Sequence, residues 1–227
     1  GGGIAVCDFD LDGYPDVYVG QGSGEPPTGT CTKSNQMFRN LGQRFAEVTD
    51  SSGTRDLGYA SGIAAGDVNQ DGFPDLYLGC LGENRLLINN GDGTYRDASE
   101  VLGDASPQFT SSVAIADLTG DGNPELYECV YVEMQDGFRL PDRGAGGQEL
   151  PPNPNEFYAE CDRWFLNQGD GQMVVQTLDR KNIEPGTALG VIVTDIDGDG
   201  SNDVFVSNDA RPNHLLMRFA EGKVVNV

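Results

Sequence analysis

The stretch GIAAGDVNQDGFPDLYLG, Gly62 to Gly79, decides how the rest of the chain is read. Asp67, Asn69 and Asp71 alternate, Gly72 stands sixth in the loop, and Asp75 stands ninth. Oxygen donors at positions one, three and five, with a glycine at six for the sharp turn, let a loop wrap a hard cation. The runs on either side, GIAAG and DLYLG, are short, apolar and free of helical period, which marks them as strands joined by the acidic turn.

The same grammar recurs three more times. Loop one holds Asp8, Asp10, Asp12, Gly13, Tyr14 and Asp16. Loop two, already quoted, places Phe73 at the seventh position, whose backbone carbonyl is a further donor, as is that of Tyr14. Loop three reads Asp117, Thr119, Asp121, Gly122, Asn123 and Glu125, and loop four Asp195, Asp197, Asp199, Gly200, Ser201 and Asp203. Thr119 offers only a hydroxyl and Glu125 is one methylene longer than aspartate. Loop three is therefore expected to be the weakest site, filled only at high calcium.

Each loop sits between two strand-like runs: GIAVC (3–7) and DVYVG (16–20), GIAAG (62–66) and DLYLG (75–79), VAIA (113–116) and ELYEC (125–129), GVIVT (190–194) and DVFVS (203–207). A second half follows in each unit. NRLLINNGDGTYRDAS (84–99) reads as strand, tight turn and strand, with Asn-Gly and Asp-Gly as hairpin signals. Its counterparts are NQMFRNLGQRFAEVT (35–49), DRWFLNQGDGQMVVQT (162–177) and NHLLMRFAEGKVVNV (213–227). Four strands per unit, at roughly 40–50 residues plus insertions, is the size of a propeller blade. The expected fold is all-β: a β-propeller segment of four four-stranded blades at about 1–51, 60–101, 110–181 and 187–227.

Composition narrows the partners. The chain has 227 residues, 36 Asp+Glu against 14 Lys+Arg, and a formal net charge of −22. Such acidity argues against nucleic acid or an anionic membrane, since phosphate binding needs a basic face. No apolar run reaches the length that spans a bilayer. The chain opens inside a repeat, so any leader is expected upstream of residue 1. The five cysteines show no CxxC spacing and only one histidine accompanies them, which argues against zinc. Cys129 and Cys161 bracket the longest insertion, and Cys31 and Cys80 each precede a matched repeat position (Asn35 and Asn84) by the same interval; both pairs are expected disulfides, leaving Cys7 in a strand.

Calcium suits the loops better than magnesium, because they offer many flexible oxygens whereas magnesium prefers a small octahedron and its own waters. An EF-hand would need flanking helices and an acid at position twelve, but those positions are Val19, Leu78, Glu128 and Val206. Plain acidic turns without metal would explain one loop, but not the same packing of acids four times over.

These motifs, above all ASGIAAGDVNQDGFPDLYLG, LLINNGDGTYRDAS and VFVSNDARPNHLL, resemble the FG-GAP/VCBS calcium-binding repeats of β-propellers, including those of integrin α-chains. More narrowly, they resemble the cartilage acidic protein and ASPIC/UnbV group, over essentially the whole chain. The resemblance implies that each acidic loop joins the first two strands of a blade and that position seven gives a main-chain carbonyl, here Tyr14, Phe73, Asn123 and Ser201. It also implies more than four blades, so the segment is expected to belong to a larger propeller or an assembly.

The expected function is an extracellular or cell-surface scaffold for adhesion, not an enzyme, with up to four structural calcium ions. Its partners would be protein or glycan, met through the insertions at 21–34 and 130–161, with self-association also possible. The rival readings are a self-assembling structural protein and the propeller of a polysaccharide-acting enzyme. His214, the single histidine, lies in a strand-like run without a triad partner and reads as structural. Phe157, Tyr158, Trp164 and Phe165 group near the long insertion, as core or as a contact surface.

Overall fold

Apolar alternation on both sides of each acidic turn gives antiparallel hairpins, and the hairpins assemble into blades. A computed structural model describes residues 2–22, 31–103, 107–134, 142–150, 154–169, 172–217, 219 and 224–226. Residues 23–30 of the first expected binding insertion, and 135–141 and 151–153 of the second, lie outside the described residues.

The first sheet runs in order β1 (Ile4–Cys7), β2 (Asp16–Val19), β3 (Gln36–Asn40) and β4 (Phe45–Glu47). The second repeats the meander with β5 (Tyr59–Gly66), β6 (Asp75–Gly82), β7 (Arg85–Asn89) and β8 (Tyr95–Asp97). The third uses β9 (Gln108–Ala116), β10 (Glu125–Val130), β13 (Arg163–Asn167) and β14 (Met173–Thr177), and the hairpin β11 (Asp142–Arg143) with β12 (Glu149–Leu150) lies inside its insertion. The fourth is β15 (Ala188–Thr194), β16 (Asp203–Asn208), β17 (His214–Met217) and β18 (Val225–Asn226). Among the described residues, helix comprises an α-helical turn at Thr49–Ser52, 3₁₀ turns at Ser99–Leu102 and Pro154–Glu156, and Met134.

Several strands are longer than the apolar runs that announced them. β5 begins at Tyr59 and β9 at Gln108, because small and polar residues (Ser61, Gly62, Thr110, Ser111) continue the ladder where the hydrophobic pattern stops. The extensions also join neighbours. The end of β6 pairs with the start of β9, Leu81 opposite Phe109 and Gly82 opposite Gln108, so the second and third blades share one hydrogen-bonded sheet. Near that seam only glycine fits: a Cβ on Gly62 would stand 2.6 Å from the Ser112 Cα, and one on Gly79 would stand 2.6 Å from side-chain carbons of Thr110 and Val113.

Three cores lie between the blades, one per interface. Tyr18, Met37, Leu76 and Leu87 fill the first, Tyr77, Leu86, Leu126 and Phe165 the second, and Tyr127, Trp164, Val206 and Leu216 the third. Each interface carries an edge-to-face aromatic pair, Phe9–Tyr95 at 6.2 Å, Tyr77–Phe165 at 6.5 Å and Trp164–Phe219 at 5.6 Å between centroids. The outermost faces are different. Ile4 and Val6 in the first blade, and Leu189 and Ile192 in the fourth, are more than half exposed, with no sheet packed over them among the described residues.

The expected disulfides are not formed: all five cysteines are free. The Cys31 thiol lies 3.3 Å from the Gln21 carbonyl and 3.5 Å from that of Gly58, and the Cys80 thiol faces the Leu78 carbonyl. Cys129 and Cys161 are packed into the core between the third and fourth blades, where each serves as a small apolar side chain. Of the aromatic group, Trp164 and Phe165 are core and Phe157 is buried, whereas Tyr158 is 71% exposed on the insertion. His214 is buried in β17, with its Nδ1 lacking a hydrogen-bond partner among the described residues.

Candidate metal centre

All four acidic loops close by one set of bonds. The first aspartate accepts from the backbone N–H groups that follow it: Asp8 from Asp12 and Gly13, Asp67 from Asp71 and Gly72, Asp117 from Gly120 and Gly122, Asp195 from Gly198, Asp199 and Gly200, at 2.7–3.1 Å. The fifth-position aspartates (Asp12, Asp71, Asp121, Asp199) accept from the N–H of Tyr14, Phe73, Asn123 and Ser201. These bonds require a left-handed backbone twice per loop. Position four, held by Leu11, Gln70, Gly120 and Gly198, has φ between 57° and 80°, and the sixth-position glycines cluster at 91–93°. Glycine is needed at the sixth position because that conformation is costly for any residue with a Cβ.

The ninth-position acids do something the sequence did not announce. Asp16, Asp75, Glu125 and Asp203 are buried at the start of the second strand of each blade. Asp75 accepts from the Val68 N–H at 2.9 Å and the Asn89 N–H at 2.8 Å, so one carboxylate ties the metal loop to the third strand. Asp16 does the same with Phe9 and Asn40, and Asp203 accepts from Ile196. Glu125, with its longer side chain, accepts from both Leu118 and Thr119. Burial raises the Asp75 carboxyl to about 6 and that of Glu125 to about 7, against the opposing pull of these N–H groups, with neighbouring carboxylates adding to the rise. Desolvation likewise pushes Asp16 upward.

Among the described residues, two groups of carboxylates converge as a cation would need. Oxygens of Asp8, Asp10 and Asp16 lie within 4.8 Å of one another, as do those of Asp195, Asp197 and Asp203. In loop two the third-position oxygen is the amide oxygen of Asn69, which accepts from the Asp71 N–H at 3.1 Å. In loop three Thr119 turns its hydroxyl to Glu125 at 3.5 Å, so these two of its expected ligands face each other. Hard oxygen donors in this arrangement fit a calcium-type ion. One buried oxygen, Asp10 Oδ1, accepts no hydrogen bond among the described residues, which a cation would relieve. Arg39 also meets this loop, 2.5 Å from Asp10 and 3.1 Å from Asp12.

The loops are locked to their neighbours. Asn89 donates to the Phe9 carbonyl of the preceding loop at 2.8 Å, Asn167 to that of Val68 at 2.9 Å, and Asn202 to that of Asp117 at 2.8 Å. Gln70 reaches across to Gly122 and Asn123. A second set of pins holds the other end of each blade. Asn35, Asn84, Asp162 and Asn213, just before the third strand, accept from the N–H of Gln21, Cys80, Val130 and Asn208 at 2.7–2.9 Å. The sequence showed these positions as matched, but nothing local distinguished a pin from a surface asparagine. Glu128, the acid at position twelve of loop three, is engaged by protein groups. It is fully buried, accepts from Tyr77 and Asn84, and pairs with Arg163 at 2.5 Å.

Comparison with known proteins agrees with this architecture. The family model for the FG-GAP-like repeat matches residues 8–78 and 70–128, together more than half of the chain. Human integrin alpha-6 is 30% identical over 143 residues, covering 59% of this chain and 12% of the integrin. Cartilage acidic protein 1 of Xenopus tropicalis is 27% identical over 216 residues, 92% of this chain and 29% of that protein. The chain thus spans less than a third of either relative. A solved lectin of Agrocybe aegerita, described by its recognition of non-reducing terminal N-acetylglucosamine, superposes with a TM-score of 0.50 at 16% identity, over 100% of this chain and 51% of the lectin. At that identity the likeness concerns the fold alone.

Proposed function

Because the chain belongs to the FG-GAP-like repeat family, we propose that it is a calcium-stabilised segment of an extracellular β-propeller that presents loops to a protein or glycan partner, and that it is not an enzyme. The observation that carries the calcium part is the convergence of three carboxylates in loops one and four on a backbone frame that all four loops share. Asp8, Asp10, Asp12, Asp16 and the Tyr14 carbonyl would hold one ion. Asp67, Asn69, Asp71, Asp75 and the Phe73 carbonyl would hold a second, and Asp195, Asp197, Asp199, Asp203 and the Ser201 carbonyl a third. Loop three, with Asp117, Asp121 and the Asn123 carbonyl, would be the weakest because Thr119 and Glu125 engage each other. The bound ion supplies charge neutralisation: it lets several carboxylates share one turn at neutral pH.

Similarity to an integrin α subunit and to a cartilage protein supports an extracellular adhesion setting. The insertions at 21–34 and 130–161, with the exposed Tyr158 on the second, are the proposed working surface. Melting with calcium and after chelation tests the metal. At free calcium about tenfold above Kd, each loaded loop adds about 1.4 kcal/mol, or about 3–6 °C in a chain of this size. An unchanged melting temperature removes the calcium reading.

A second reading, self-association, is favoured by the apolar outer faces at Ile4 and Val6 and at Leu189 and Ile192. In a propeller such faces pack against further blades, of the same chain or of another copy. Sedimentation of the isolated segment should therefore depend on concentration, and Ile192→Lys should abolish that dependence. A monomer at all concentrations would leave the binding module without assembly.

A further inference from the structure

Loop one carries four carboxylates, Asp8, Asp10, Asp12 and Asp16, and by ligand count alone should be among the best of the four sites. Its geometry differs from loops two and four in one respect. In those loops the third-position side chain closes the turn by accepting from the fifth-position N–H: Asn69 from Asp71 at 3.1 Å and Asp197 from Asp199 at 3.0 Å. Asp10 makes no such bond among the described residues. Its Oδ2 instead meets Arg39 Nε at 2.5 Å, while Asp12 Oδ2 meets Arg39 Nη2 at 3.1 Å. In loop two the matched atoms, Asn69 Nδ2 and Asp71 Oδ2, bond to each other at 2.9 Å. The guanidinium of Arg39 thus bridges the third- and fifth-position oxygens that would face the ion.

Arg39 comes from β3, and the matched strand positions in the other blades are Ile88, Leu166 and Met217. Its side chain is 45% exposed at the mouth of a cavity of about 270 Å³ between the first two blades, lined also by Asp10, Asp16, Thr94 and Tyr95, so it has room to swing out. We propose that Arg39 is a tethered counter-cation that competes with calcium for loop one, so that this loop loads after loops two and four. Without calcium the guanidinium partly neutralises the loop, and a divalent ion enters only as Arg39 leaves Asp10 and Asp12. This rests on the calcium reading above.

Terbium, which takes calcium's oxygen ligands and emits when excited through a nearby tyrosine, reads loop one through Tyr14 at its seventh position, while Tyr95, whose hydroxyl donates to the Pro74 carbonyl of loop two at 3.2 Å, adds emission of its own. The part of the emission that Tyr14→Phe removes is the loop-one signal, and each Arg39 variant is compared with and without that substitution. Two charged contacts of partly exposed groups correspond to about a five- to tenfold change in affinity. Arg39→Met should therefore bind terbium about five- to tenfold more tightly than the parent, Arg39→Lys should lie between, and calcium calorimetry should show loop four unchanged. Methionine is tolerated at the matched position in blade four, as Met217, so the variant should fold. Equal or weaker binding by Arg39→Met, with terbium still bound, overturns the role of Arg39 and leaves the calcium reading standing. No tyrosine-sensitised emission in any variant, together with a melting temperature insensitive to calcium, overturns both.

Discussion

Asp75→Ala is expected to cost about 4 kcal/mol of stability with or without calcium, because the side chain is first a structural pin and only then a ligand. Asp75 is fully buried, and its two oxygens take the N–H groups of Val68 and Asn89. Alanine leaves both donors buried without a partner, at about 1–3 kcal/mol each. The melting temperature should fall by about 8–16 °C for a loss of that size. Asp71→Ala is the contrast. Asp71 is exposed and accepts the Phe73 N–H in a solvated turn, so its loss should matter mainly when calcium is present. Urea denaturation of both variants, in calcium and in chelator, separates the roles. If Asp75→Ala loses stability only in calcium, the ninth-position acids are ligands and not pins.

Asp162→Asn should stabilise the protein by an amount that grows as pH rises from about 4 to 7 and is full above neutral pH. Asp162 lies at the pin position occupied by asparagine in the other three blades. It accepts from Val130 at 2.8 Å and from the Tyr127 hydroxyl at 3.0 Å. Burial lifts its carboxyl to about 7, outweighing the downward pull of those two bonds, and Glu128 adds a smaller rise. An unfolded aspartate titrates near 3.9. The folded state therefore holds the proton more tightly. Its stabilising effect is complete below about pH 4 and is lost as pH rises towards 7, after which the charged form carries the full penalty. Asparagine keeps both contacts without the charge, as Asn84 does with Cys80 and Tyr77. The gain should be on the order of 3 kcal/mol at pH 8 and near zero at pH 4. Chemical denaturation of both proteins across that range checks it, and a pH-independent difference would mean that Asp162 is not titrating in the fold.

Much of the propeller was legible because its signals are local. An acidic turn with glycine at the sixth position and β-prone runs on both sides specifies a hairpin within a few residues of itself, and the fourfold repeat multiplies that evidence. The extra length of β5 and β9 escaped because residues 59–61 and 108–112 carry no clear alternation; they are strands because neighbouring backbone pairs with them. The cysteines misled because matched spacing in sequence does not fix what a thiol faces: those of Cys31 and Cys80 meet backbone carbonyls, and Cys129 and Cys161 pack as core.

Within the candidate site, sequence chose the loops and the donor types, since those interactions run between residues at most nine apart. It set loop three lowest, but could not rank loop one against loop four. Loop one has the same carboxylate count as loop four, yet Arg39, 27 residues from Asp12, lies on two of its oxygens. Glu125 reads as a ligand, yet it is buried against Leu118 and Thr119. The sequence by itself determined the hairpins, their repetition and the kind of ion the turns would suit, because turn chemistry and strand alternation act over short separations. Only the tertiary structure decided which oxygens are already occupied, which acids are pins, and which blade faces remain uncovered. Those depend on side chains brought together from different blades, and no local pattern encodes that meeting.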